Sequence, residues 1–271
     1  MKLSTFLAHV QQCAEQSGDS IPAILRKLRL VGIEGVEAWP EQLRDTDLVQ
    51  QVKDAGLSIS GVPVWYDFVR KPFSQADIDL IGTIKAVGAP HLLLLPGLLE
   101  PGDDPDAAFE KNAEGFRAVA EACRREGIEP GIEDFDSERS LLSSLAGVRA
   151  LLDAVPELGF CLDTGNFIIR GEDPLDMFRT HGDRICRIHA KDRSPRPICG
   201  EWNLKVPSGE SWYPAPVGAG RMPVAAVLRE AKVRGFDGWI VVENFGGDPL
   251  YPTLLASANY VTDLWRAQAV S

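Results

Sequence analysis

The sequence predicts an α/β protein folded as a single (β/α)8 TIM barrel over residues 1–271, with a long loop after the seventh strand. Three observations carry this. Short β-type runs alternate eight times with longer segments of helical period. Glycines stand where each helical run gives way to the next strand, as at Gly56, Gly88, Gly127, Gly159 and Gly235, the place for a left-handed C-terminal residue. Several apolar runs end on a carboxylate or imidazole, as at Cys161-Leu162-Asp163-Thr164-Gly165-Asn166, and a parallel barrel gathers such strand ends at one mouth.

Taken in order, the strands fall near 3–8, 34–39, 57–64, 91–95, 129–134, 159–163, 185–190 and 239–243. The helices fall near 20–31, 41–55, 75–87, 105–126, 140–154, 174–180, 222–234 and 253–268. Asp77, Asp106, Ser140 and Asp173 lie near helix starts as N-capping candidates. Only the interval from Arg193 to Arg221 breaks the rhythm. It is rich in Pro and Gly but carries Trp202, Trp212 and Tyr213, so it reads as an ordered lid or as a contact between copies of the chain, which keeps a homo-oligomer open.

Composition narrows the partners. A formal net charge of -11 with 28 Lys and Arg against 39 Asp and Glu argues against nucleic acid, whose phosphates need clustered cations. No run of 18 apolar residues occurs, so no membrane span is expected. Cys13, Cys123, Cys161, Cys186 and Cys199 are odd in number and form no CxxC pair, which suggests free thiols in a reducing compartment. The opening Met1-Lys2-Leu3-Ser4-Thr5 lacks the pattern of a signal peptide, and a cytoplasmic location is the expectation. A small sugar or polyol suits such a protein.

Glu133, Asp163, His189 and Glu243 end the fifth to eighth strands. Singly, a strand-end Asp can be a helix cap, a Glu can pair with an Arg, and a His can be a satisfied core group. Together, three carboxylates on one mouth repel each other unless a cation lies between them, and a divalent ion with oxygen ligands and one imidazole resolves this. These four are the expected metal ligands.

At these residues the chain resembles the xylose isomerase-like barrels, specifically the sugar phosphate isomerase/epimerase group. The resemblance rests on Gly35-Val36-Glu37, Ile132-Glu133, Leu162-Asp163-Thr164-Gly165, Ile188-His189-Ala190-Lys191-Asp192, Val217-Gly218-Ala219-Gly220, Gly235-Phe236-Asp237-Gly238 and Val242-Glu243. It implies that the four groups hold one divalent ion, Mn2+ first, with Mg2+, Co2+ and Zn2+ as alternatives. It also implies that Glu133 and Glu243 are the acid/base pair. The chain departs from the family in two places: many members carry a histidine where Asn166 stands, and an acid is frequent where Arg221 stands. An amide can bond a hydroxyl but cannot shuttle a proton near neutral pH.

Other residues are expected around the mouth. Lys191, two positions after His189, turns to the same face as a substrate contact or catalytic group, or else as a salt-bridge partner of Asp163 or Glu133. Glu37 and Trp39 on the second strand and His9 at the end of the first point there too. Trp65 and Tyr66 offer an apolar wall for a sugar ring, and Arg193 and Arg196 a contact for an anionic oxygen. No glycine-rich phosphate cradle is present, so a phosphorylated substrate is not supported. The expected substrate-binding set is Asn166, Arg193, His9, Trp65 and Glu37, and the expected catalytic set Glu133, Glu243 and Lys191.

The function so predicted is that of a divalent-metal-dependent isomerase or epimerase moving a proton through a metal-stabilised enediolate of a small keto or aldo sugar or polyol. The alternative is a metal-dependent lyase, a dehydratase or β-eliminase acting on a keto-inositol or keto-sugar. A multi-zinc endonuclease of the same fold would need more than the four histidines present and a basic face, and a non-catalytic metal-stabilised binding protein is the remaining reading.

Overall fold

The computed structural model describes residues 1–267. In chain order its strands are β1 (Lys2–Phe6), β2 (Ile33–Glu37), β3 (Ser58–Tyr66), β4 (His91–Pro96), β5 (Glu129–Glu133), β6 (Gly159–Asp163), β7 (Ile185–Ser194), β8 (Leu204–Lys205), β9 (Ser211–Ala215) and β10 (Trp239–Glu243). Strands β1 to β7 pair in sequence, and β10 closes the ring against both β7 and β1 in parallel register. The result is a closed eight-stranded parallel barrel, the (β/α)8 class expected. Closure leaves no barrel strand with a free edge.

The surrounding helices are α1 (Leu7–Ser17), α2 (Ile21–Leu30), α3 (Pro40–Leu43), α4 (Thr46–Asp54), α5 (Gln75–Val87), α6 (Pro105–Arg125), α7 (Leu145–Ala154), α8 (Leu175–His181), α9 (Val224–Val233) and α10 (Leu250–Ala267). The final position of the helix expected over 253–268 lies outside the described residues. Helix α1 was not foreseen. Leu7, Val10 and Cys13 follow one another at i, i+3 and i+6 and are fully buried, but the apolar start of the helix reads from sequence as more of the first strand. His9 therefore stands on the first turn of α1, not on a strand end. The helix expected over 41–55 breaks at Arg44 and Asp45, where the Asp45 side chain accepts from Leu48 N and starts α4.

Two capping residues differ from expectation. Helix α6 is capped by Asp104, which accepts from Asp106 N and Ala107 N, and α7 by Ser144. Asp106 is in the first turn, while Ser140 accepts from Leu142 N in the preceding loop. Asp77 makes a capping box with Ser74, and Asp173 accepts from Leu175 N. Four of the five punctuating glycines have positive φ, but Gly159 does not. It opens β6, where a Cβ would come within 2.6 Å of Cys186 Sγ, so it is required by close approach and not by backbone handedness.

Most apolar burial lies between strands and helices, in one continuous cluster. Inside the barrel a small group of Leu93, Leu95 and Cys161 packs under Trp39. Beside it the interior is charged: Arg187 is 1% exposed and Glu37 0%, and the guanidinium binds Glu37 and the carbonyl of Ser60. Gly61 makes room for it, since a Cβ there would meet Arg187 Nη2 at 2.9 Å.

The interval after His189 is more ordered than a loop. Strand β7 runs on to Ser194, β9 pairs with its extension in antiparallel register, and β8 pairs with β9. Asp192 anchors the return of the chain by accepting from the backbone N–H groups of Gly218, Gly220 and Met222 at 2.9, 3.0 and 2.9 Å. All five cysteines are free. Among the described residues no helix is long and apolar enough to cross a membrane.

Candidate metal centre

Glu133, Asp163 and Glu243 are the last residues of β5, β6 and β10, and His189 pairs in register with Asp163 and with Val241. Each lies on the inward-facing set of its strand, which brings one donor atom from each of the four within 4.8 Å of the others. None is more than 7% exposed. His189 Nδ1 lies 2.7 Å from Glu133 Oε1 and 3.0 Å from Glu243 Oε2. Neither contact has hydrogen-bond alignment, and His189 Nδ1 and Asp163 Oδ2 are buried without a hydrogen-bond partner. Donor atoms that crowd together yet aim past one another suit a shared cation, and three carboxylates with one imidazole form a fitting donor set for a divalent ion.

The residues behind the four donors hold them in place. Glu37 Oε1 is 3.3 Å from His189 Nε2 and also receives Arg187. Asp163 Oδ1 accepts from Gly165 N at 2.6 Å, while Asp163 N donates to the buried carboxyl of Asp134 at 2.9 Å. Lys191 Nζ reaches Glu243 Oε1 at 2.5 Å, Asn166 Oδ1 at 2.8 Å and Asp163 Oδ2 at 3.2 Å. Asn166 also donates through Nδ2 to the carbonyl of Asp134 at 2.8 Å, so both ends of its amide are engaged.

The protein field separates the three acids. Burial raises Glu133 from its ordinary value against the pull of His189, and it raises Asp163 to about 7 against the pull of Lys191. Glu243 is equally buried, but Lys191 and His189 outweigh burial and hold it well below that range. Burial opposes charge on Lys191, and Asp163 and Glu243 restore it. Burial thus works against charge on Glu133, while Lys191 and His189 favour charge on Glu243.

A cavity of about 260 Å³ opens above these groups. Glu133, Glu243, Lys191, Asn166 and Arg193 line it, and its walls are aromatic: Phe6, Trp39, Trp65, Phe135, Trp202 and Phe245. Trp65 meets Phe135 edge to face at 4.9 Å. Arg193 is 3% exposed, binds Asp136 and the carbonyl of Gly165, and lies 5.7 Å from the ring of Trp202.

Three expected contacts sit elsewhere. Glu37 is behind His189 and not on the cavity wall: it meets the Nε2 side of the ring, while Nδ1 faces Glu133 and Glu243. His9 is fully buried against Phe6 and Phe245, its Nδ1 3.1 Å from Thr5 Oγ1, and burial lowers its imidazole to about 4. Trp65 and Tyr66 are the last residues of β3, and Tyr66 turns from the cavity to stack on Phe68. Conversely Asp134, Asp136, Phe135 and Arg187 were not singled out from sequence. Arg187 carried a readable signal, since it is two residues before His189 and so on the same inward face.

The comparisons agree with this architecture. An inosose dehydratase from Lacticaseibacillus casei is 24% identical over 241 residues, covering 80% of this chain and 79% of that protein. A 1.8 Å crystal structure of the IolI protein with a zinc atom superposes with a TM-score of 0.75 over 100% of both chains at 16% identity. D-psicose 3-epimerase crystallised with D-fructose gives 0.71 over 98% of this chain and 99% of its own, at 14% identity. The profile of one family matches residues 25–262, and the chain belongs to that family, the xylose isomerase-like TIM barrels.

Proposed function

We propose that this protein is a divalent-metal-dependent enzyme that takes the proton next to the carbonyl of a small keto-polyol or keto-sugar and then expels a β-hydroxyl as water. The observation that carries the reading is geometric: the two buried glutamates Glu133 and Glu243 lie 2.7 and 3.0 Å from one imidazole nitrogen of His189 and both line the aromatic-walled cavity. Two carboxylates within reach of one bound substrate can divide the tasks of base and acid. Glu133, Asp163, His189 and Glu243 would hold the ion, which supplies Lewis-acid polarisation of the substrate carbonyl when bound.

In this reading Glu243 accepts the proton, and Lys191 Nζ, within reach of Glu243, Asp163 and Asn166, stabilises the oxygen that gains charge. Glu133 returns a proton to the departing hydroxyl. The aromatic walls receive the C–H face of the ring and exclude water. Asn166, bonded at both ends of its amide, adds no proton carrier to the two glutamates, and elimination is placed ahead of returning the proton to carbon on the strength of the relatives. The curated relatives named as inosose dehydratases support the same order.

Incubating the Mn2+-loaded protein with keto-inositols and keto-sugars in deuterated water tests this. An enone chromophore without an epimer supports elimination. An epimer or isomer carrying solvent deuterium makes the protein an isomerase or epimerase instead, and no exchange at any carbon removes the proposal.

A further inference from the structure

The barrel has a second cluster of metal-binding side chains, at the end of the strands opposite the mouth. His91 and Glu129 open β4 and β5 as register partners, with His91 Nδ1 2.9 Å from Glu129 Oε2. Cys186 joins them from β7 through an irregularity in the sheet. Phe160 pairs with Ile185 and Cys161 with Arg187, so Cys186 is the extra residue of a bulge. Its thiol lies over two bare backbones, Gly159 and Gly131, where a Cβ would come within 2.6 and 3.4 Å of Sγ. Bulges commonly re-aim a side chain, and here two glycines clear the space into which it is aimed.

We propose that His91, Glu129 and Cys186 bind a thiophilic divalent cation of the zinc class at the amino-terminal end of the barrel, independently of the mouth. One donor atom from each of the three lies within 4.8 Å of the others. Zinc sites place donors about 2.0–2.3 Å from the ion, so a shift of roughly an ångström, available to the half-exposed Glu129 side chain, closes the set and leaves the fourth position to water. A cavity of about 10 Å³ bordered by His91, Gly131 and Cys186 adjoins the donors, and a cleft of about 510 Å³ leads in from solvent.

The neighbouring cations are already engaged. Arg187 is bound to Glu37, Arg184 to the carbonyls of Leu158, Leu152 and Val155, and Arg124 to the carbonyl of Glu157. Burial pushes the Cys186 thiol up to about 12, so in the metal-free protein it stays protonated. Binding replaces the S–H bond with a sulfur–metal bond and sends the proton to solvent. Glu129 and Glu133 begin and end β5, so about 13 Å of strand separates the two sites.

Zinc and cobalt titration of the reduced protein decides the matter. Wild type is expected to take up two equivalents of Zn2+ per chain and, with Co2+, to show a thiolate-to-cobalt charge-transfer band. Cys186→Ser and His91→Ala should each lose one equivalent, with circular dichroism of the metal-free proteins unchanged. The mouth variant Asp163→Asn/Glu133→Gln should keep one equivalent and the band. If wild type binds one equivalent that the mouth variant loses, or if Cys186→Ser still binds two equivalents, there is no site at this end; the band is read in the mouth variant, because Cys161 lies beside Glu133 and His189. One equivalent that persists in the mouth variant and vanishes in Cys186→Ser supports this site while removing the mouth ion.

Discussion

Glu37 Oε1 sits 3.3 Å from Nε2 of His189, on the side of the ring away from Nδ1, which faces Glu133 and Glu243. A carboxylate on one ring nitrogen fixes the orientation and tautomer of the other as a metal donor.

Glu37→Gln is therefore expected to weaken divalent-ion affinity at the mouth by about 10–100-fold, measured by calorimetric titration with Mn2+. The substitution also leaves the buried guanidinium of Arg187 without its carboxylate, so the melting temperature should fall. Adding Arg187→Met should recover stability but not affinity. Unchanged affinity would reduce Glu37 to a counter-ion for Arg187.

Metal affinity at the mouth should depend on pH with a definite sign. Burial raises Asp163 to about 7 in the metal-free protein, so below that value the ion must displace a proton. Apparent affinity should rise with pH up to about 7 and then flatten, as read by competition with a fluorescent chelator. In the metal-free protein the same raised carboxyl favours the folded state when protonated, a contribution lost as pH rises through 7. A flat affinity profile from pH 5 to 8 would contradict the assignment of Asp163.

Lys191 separates an electrostatic role from a structural one. Its ammonium pairs with the carboxylates of Asp163 and Glu243, at 3.2 and 2.5 Å, two of the four groups that would hold the ion. Lys191→Met should cut kcat by about 10²-fold or more while binding of Mn2+ stays equal or tightens. Weaker metal binding with kcat intact would show the lysine to be scaffolding.

Trp202 is 53% exposed yet lines the cavity beside Arg193. A residue that covers a site without holding the ion should act on substrate affinity. Trp202→Ala is expected to raise KM several-fold with metal stoichiometry unchanged, checked by steady-state kinetics alongside metal analysis.

The barrel and the four strand-end groups were legible because both depend on periodicity: an apolar run ending in an acid is a local pattern, and closure in order brings the ends together. What was not legible depended on distance in sequence. Helix α1 was hidden because Leu7 and Ala8 prolong an apolar run without a glycine or proline between strand and helix. Glu37 was assigned to the mouth because alternation gives the face of a strand but not the depth along the barrel axis. The hairpin of β8 and β9 was missed because its pairing partner is the extension of β7, which sequence ended at 190. The engaged amide of Asn166 depends on Lys191 and Asp134, residues 25 and 32 positions away.

The guanidinium of Arg187 crosses the barrel interior beneath the mouth and needs the bare backbone of Gly61 to pass. Engineers who move catalytic loops between barrels assume that chemistry at the rim is separable from the staves below. In this protein it is not: a host barrel with alanine at the position of Gly61 would push the Arg187 guanidinium aside and disturb its pairing with Glu37, the carboxylate behind the imidazole of His189. Any transplant of this centre must carry the third strand with it.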